Sequence, residues 1–114
     1  MADDAVTTNA DLYRVVMEND RVRVLEYRDK PGDRTTMHRH PDSVMITLSS
    51  FRRRLADSER SVEVELERGL ARWLGAQEHW GENIGETETH VVFVELKEPP
   101  RGGEPAAQLG PSAG

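Results

Sequence analysis

The sequence contains no cysteine, which excludes a disulfide framework, a thiol nucleophile and a thiolate metal site. Aromatic residues are scarce, at 5% of the chain. No apolar run approaches the roughly 20 residues that a membrane-spanning helix needs. Asp3 and Asp4 stand where a secretory signal carries positive charge, and no apolar stretch follows them. Positive charge is itself in the minority, 15 Lys and Arg against 21 Asp and Glu, for a formal net charge of −6. That balance speaks against a basic nucleic-acid-binding face. The expectation is a cytoplasmic protein with neither nucleic acid nor membrane as a partner. No Gly-rich phosphate loop precedes a helix, and Ser49 and Ser50 lack the flanking glycines of a nucleophile elbow.

The 114 residues suffice for one domain. Residues 1–11 and 99–114 hold almost no large apolar side chains, and the second stretch carries four of the six prolines and four of the nine glycines. Segments of that composition bury too little surface to offset the entropy of ordering, so both are expected to be disordered tails around a domain at 12–98. Within the domain the pattern is that of strands. Residues 61–67 alternate Val62, Val64 and Leu66 with Glu63, Glu65 and Glu67, while 43–48 and 88–96 are rich in β-branched residues. In 21–27 the apolar parity changes between Val24 and Leu25, which points to a bulge or bend near residue 25. Turn signals at Asn19-Asp20, Pro31-Gly32-Asp33, Asp57-Ser58, Arg68-Gly69 and Gly85-Glu86 separate these runs. About eight short strands at this spacing imply an all-β fold, a barrel or sandwich.

Three of the four histidines fall in two polar clusters, residues 31–47 and 69–83. On an extended strand His38 and His40 project to one face, so both imidazoles can reach one divalent ion. His79, distant in the chain, is the third candidate ligand. Two clustered histidines and one remote one make a facial site with positions left for water or substrate. Without a metal, neutral imidazoles inside a core need other hydrogen-bond partners.

These clusters resemble the two motifs of the cupin superfamily, over roughly residues 20–98. The first family motif runs Gly, five residues, His-x-His, three or four residues, Glu, six residues, Gly; Gly32, His38 and His40 match it. The second runs Gly, five residues, Pro-x-Gly, two residues, His, three residues, Asn; Gly69, His79 and Asn83 match it, with the His one residue early. The motif's Glu falls at Val44 or Met45, its Pro-x-Gly reads Gly75-Ala76-Gln77, and the first motif's final Gly is absent. The resemblance therefore implies a small antiparallel jelly-roll β-barrel whose metal ligands are His38, His40 and His79. Asp42 substitutes for the lost Glu only if its strand bulges. A three-histidine set is similar to that of certain iron-dependent dioxygenases acting on β-diketones or thiols. It implies Fe2+ first, with Ni2+, Zn2+, Mn2+ or Cu2+ also accepted by imidazole, and a small anionic or chelating substrate. The alternative is a metal- or small-molecule-binding module or sensor without turnover. Small cupins pair through edge strands, so a homodimer is implied too.

Four further residues are site candidates. Gln77 shares the parity of His79 and is placed to line the pocket. Asn83 either hydrogen-bonds a ligating imidazole or serves as a turn residue before Gly85. Trp73, of the same parity, is a candidate cavity wall, with core or dimer interface as its other reading. In Arg52-Arg53-Arg54 a solvated face is the ordinary reading, but Arg53 shares a side with Phe51 and Leu55 and would point near the barrel mouth, toward a substrate carboxylate. His90 opens an apolar strand and is expected in the core or at its rim rather than as a fourth ligand.

Overall fold

The structure is a computed structural model, and it describes residues 3–99 and 108–112. Residues 5–8 form one helical turn, α1, and nine strands follow: β1 (Tyr13–Glu18), β2 (Val22–Asp29), β3 (His38–His40), β4 (Ser43–Thr47), β5 (Phe51–Ala56), β6 (Ser61–Leu66), β7 (Ala71–Leu74), β8 (Gln77–Asn83) and β9 (Thr89–Leu96). All named strand pairs are antiparallel. One sheet has the order β1-β2-β9-β4-β7, the other β3-β8-β5-β6. This is the jelly-roll arrangement, though the two sheets face each other and do not close into a continuous barrel.

The inward sides of both sheets build the core, chiefly Leu25, Tyr27, Met45, Phe51, Leu74, Val91 and Phe93. Turns set the strand entries. Gly32 and Gly69, the first residues of the two motifs, both adopt positive φ (90° and 87°), where a side chain would be strained. The parity change in 21–27 has a different cause from the one expected. β2 pairs with β9 without interruption, and the register shift lies in β1, between Val15 and Met17. Leu25 and Tyr27 face the core, whereas Val22 and Val24 lie on the outer side of the same straight strand. Both sides of this strand are apolar.

That outer side carries a continuous apolar ladder. Met17 pairs with Val24, Val24 with Val94, Val94 with Val44 and Val44 with Trp73, so one row crosses all five strands. Met17 and Trp73 remain 45% and 39% exposed. The other sheet's outer side is charged: Arg52 and Arg54 both bond Glu63.

The N-terminal stretch is not a loose tail. Asp4 caps α1 through Val6 N–H, Ala5 is fully buried, and Asp4 pairs with Arg23 at 2.5 Å. Composition concealed this, because the contacts use only the small apolar residues Ala5 and Val6 together with polar side chains. Of the expected C-terminal tail, residues 100–107 and 113–114 lie outside the described residues. Residues 108–112 pack back on the fold, with Leu109 buried and Ser112 N–H donating to Trp73 C=O at 2.8 Å.

Candidate metal centre

β3 and β8 pair so that His38 lies directly opposite His79, and His40 opposite Gln77. Alternation along β3 sends His38 and His40 inward, and alternation along β8 does the same for His79. The three rings form a nearly equilateral triangle, with centroids 4.7, 5.0 and 5.0 Å apart. All three are buried, and one nitrogen from each ring lies within 4.8 Å of the others.

The ring hydrogen bonds decide which nitrogens are available. His38 Nδ1 lies 2.7 Å from Thr36 C=O, which can only accept, so Nδ1 carries the proton. Asn9 Nδ2 lies 3.4 Å from the same nitrogen, and the shorter contact fixes the tautomer. His79 Nδ1–H donates to Gln77 Oε1 at 2.8 Å. That amide is itself held in place, because its Oε1 accepts from Gly110 N–H and its Nε2 donates to Gly75 and Gln108 carbonyls. His40 Nδ1 has no hydrogen-bond partner; Glu95 Oε2, also unpartnered, lies 3.6 Å from it. In His38 and His79 the lone pair is therefore on Nε2, while no hydrogen bond sets the tautomer of His40.

The Nε2 atoms of His38 and His40 are 3.0 Å apart. With His40 in its Nε2–H tautomer this contact is a hydrogen bond to the His38 lone pair; with the proton on Nδ1, facing Glu95, two lone pairs meet and repel unless a positive charge lies between them. Burial disfavours a proton in this role: it pushes His40 down to about 3, with His38 adding to the effect. Burial also lowers His38 and takes His79 well below its ordinary value. A metal cation fits instead. Nitrogens bound at about 2.1 Å and at right angles to one another are separated by about 3.0 Å. The donor set thus suits a divalent first-row ion, without selecting among them.

Tyr13, at the start of β1, completes this side of the cavity. Its hydroxyl stands 3.5 Å from both His38 Nε2 and His40 Nε2. Burial raises its pKa well above the usual phenol value, so it remains a donor. Phe93 stacks on His40 with centroids 5.2 Å apart. The cavity here is small, about 50 Å³, and is otherwise lined mainly by apolar side chains such as Phe51, Leu55, Leu74 and Val91. Pro111 closes part of it.

The remaining candidates separate. Gln77 does reach His79, by orienting its ring. Asn83 does not: its Nδ2 donates to Asp29 Oδ1 and Thr87 C=O, and its Oδ1 accepts from Gly85 N–H. Arg53 faces inward but is no free anchor at the mouth. It is 7% exposed and bonds Asp29 at 2.5 Å and Thr89 at 3.1 Å. Tyr27 O–H donates to the same Asp29. Trp73 points outward, because the break at Gly75-Ala76 reverses parity between β7 and β8. Asp42 accepts from Ala76 N–H, and His90 pairs with Glu26 on the outer side, so neither is a fourth ligand. Sequence reasoning missed Tyr13, Asp29 and Glu95. Glu95 carried a signal: an acidic residue in an apolar strand, with the parity of Val91 and Phe93.

No protein-family model and no curated protein matches the sequence. Solved structures do match. A cupin domain from Bordetella pertussis Tohama I is 31% identical, with a TM-score of 0.71 over 86% of this chain and 98% of that one. A Klebsiella pneumoniae protein with a double-stranded β-helix domain is 20% identical, with a TM-score of 0.61 over 86% of this chain and 82% of that one. The polyketide cyclase RemF from Streptomyces resistomycificus is 21% identical, with a TM-score of 0.56 over 78% of this chain and 66% of that one. The identity and near-complete coverage of the Bordetella domain, on a jelly roll that brings both histidine clusters together, show that the chain belongs to the cupin superfamily.

Proposed function

We propose that this cupin is a metal-dependent oxygenase acting on a small molecule that binds through anionic or chelating oxygen atoms. The observation that carries the reading is the convergence of three neutral imidazoles, two of them fixed in the Nδ1–H tautomer, on one buried point. His38, His40 and His79 would hold the cation, and no carboxylate joins them. When bound, iron(II) would supply Lewis acidity and a site for dioxygen chemistry, and three neutral ligands leave it the full charge with which to attract an anion.

The protein's own groups define what happens around that point. Tyr13 O–H is aimed at the same space and donates to an oxygen of the bound molecule. Phe93 and the aliphatic wall exclude water, which strengthens each polar contact inside. The Arg53–Asp29 pair neutralises itself, so the substrate's negative charge is left to the metal rather than to the guanidinium. The small cavity limits the head group it admits while residues 109–111 stay seated. The fold alone does not choose the chemistry, since a polyketide cyclase shares it.

The test is oxygen consumption by iron(II)-loaded protein with β-diketones, thiols and hydroxy acids. Uptake that depends on one class, and that is lost in His79→Ala, is the expected result. Stoichiometric iron with no uptake across the panel would instead favour a metal- or ligand-binding module.

A further inference from the structure

Glu95 is an expensive residue where it stands. It lies on the inward face of β9 in the row Thr89, Val91, Phe93, Glu95, and is 2% exposed. Its Oε1 is taken by Arg23, at 2.8 Å to Nε and 2.7 Å to Nη2. Arg23 in turn is gripped by Asp4, through Nη1 at 3.1 Å and Nη2 at 2.5 Å. This chain of charges fixes the carboxylate plane and leaves Oε2 pointing at His40. Desolvation of that second oxygen costs free energy that no hydrogen bond within the chain returns. His40 Nδ1 is in the same condition, 3.6 Å away. The other two imidazoles have their Nδ1–H groups held by Thr36 C=O and Gln77 Oε1. Only His40 lacks such a partner among the three, and only Glu95 stands in the matching place.

We propose that Glu95 is the positioning carboxylate of the metal centre, orienting His40 through its Nδ1–H and passing negative charge to the cation through the ring. The inference rests on the three-histidine metal reading above. A carboxylate behind a ligating imidazole fixes ring and tautomer and makes the ring a stronger donor. The three ligands themselves stay neutral, and Glu95 acts only from behind the ring, with Asp4 offsetting the charge of Arg23. No movement of the strands is needed, since closing the gap from 3.6 Å to about 3 Å takes only a small side-chain adjustment.

The test is titration of metal-free wild type, Glu95→Gln and His79→Ala with Zn2+ and with Cu2+, read by calorimetry and, for copper, by electron paramagnetic resonance. Wild type binds one equivalent and His79→Ala loses it. Glu95→Gln, which keeps the side-chain volume, binds one equivalent about 10 to 100 times more weakly and shows a changed copper hyperfine coupling. The spectral change separates positioning from a loss of stability alone. Wild-type affinity and spectrum in Glu95→Gln would overturn the proposal while leaving the three-histidine reading intact. Absence of binding in wild type would overturn both. Should Glu95→Gln fail to fold, nitrogen-15 spectra of zinc-loaded wild type decide instead. A His40 Nδ1–H shifted downfield, with Nε2 carrying the metal, is expected; metal on Nδ1 overturns the proposal.

Discussion

At the scale of single residues the buried imidazoles have a measurable acid response. Their pKa values are lowered in the folded protein, so between the ordinary value of about 6.5 and the folded values the unfolded chain binds more protons. The metal-free protein is therefore expected to lose thermal stability as pH falls below 6.5, down toward about 3 for His40. Glu95, raised mainly by burial, works weakly in the opposite direction near its own range. Melting temperature against pH with a chelator present checks this; a flat profile from pH 7 to 4 would contradict it. Tyr13→Phe keeps the ring and deletes one donor. Metal affinity should hold, while affinity for the bound small molecule falls about tenfold, the worth of roughly 1.4 kcal/mol. Both residues show where sequence reasoning stopped. His38, His40 and His79 were legible because chain spacing and strand alternation place them, whereas Tyr13 reaches the same point only through the packing of one sheet on the other.

Among the elements, β8 shows how closely the two halves of the interior approach. A methyl group added at Gly81 would lie 2.7 Å from Arg53 Nη2 and 3.0 Å from Leu55 Cδ2. Gly81→Ala should push the guanidinium off Asp29 and cost about 1–3 kcal/mol, read as a lower denaturation midpoint. Asn83 should be disturbed with it, since it bonds the same Asp29. The strand pattern exposed much of this architecture: β4, β6 and β9 fall within the expected runs, and the turn glycines open both motifs. The parity of β9 stayed ambiguous because Val92 and Val94 on its outer side are as apolar as Val91 and Phe93 on its inner side. Parity across β7 and β8 failed for Trp73 because a two-residue break shifts the phase, and no composition rule reports that shift.

For the whole molecule, the two outer faces differ in kind. One sheet shows paired arginines and glutamates; the other shows the row from Met17 to Trp73. Four inter-strand steps of about 4.8 Å make that row about 19 Å wide, about two thirds of the side, about 28 Å, of a standard interface of about 800 Å² per partner. The charges around it are already paired within the chain, Arg14 and His90 with Glu26, and Arg28 with Glu88. The homodimer is kept as a proposal, with a second copy covering this face rather than meeting it at an edge strand. Sedimentation should find a dimer that Trp73→Glu converts to a folded monomer; a wild-type monomer at high concentration would exclude it. No helix among the described residues is long and apolar enough to cross a membrane.

Gln77 has a consequence of its own. One amide grips the imidazole of His79 with the same oxygen that receives Gly110, so whatever lifts the C-terminal segment also loosens a ligand. Seating of residues 108–112 and occupancy of the centre are then thermodynamically linked, each favouring the other by an equal factor. Deuterium uptake at the Gly110 amide should slow when zinc is added, a readout of the interior taken from the rim.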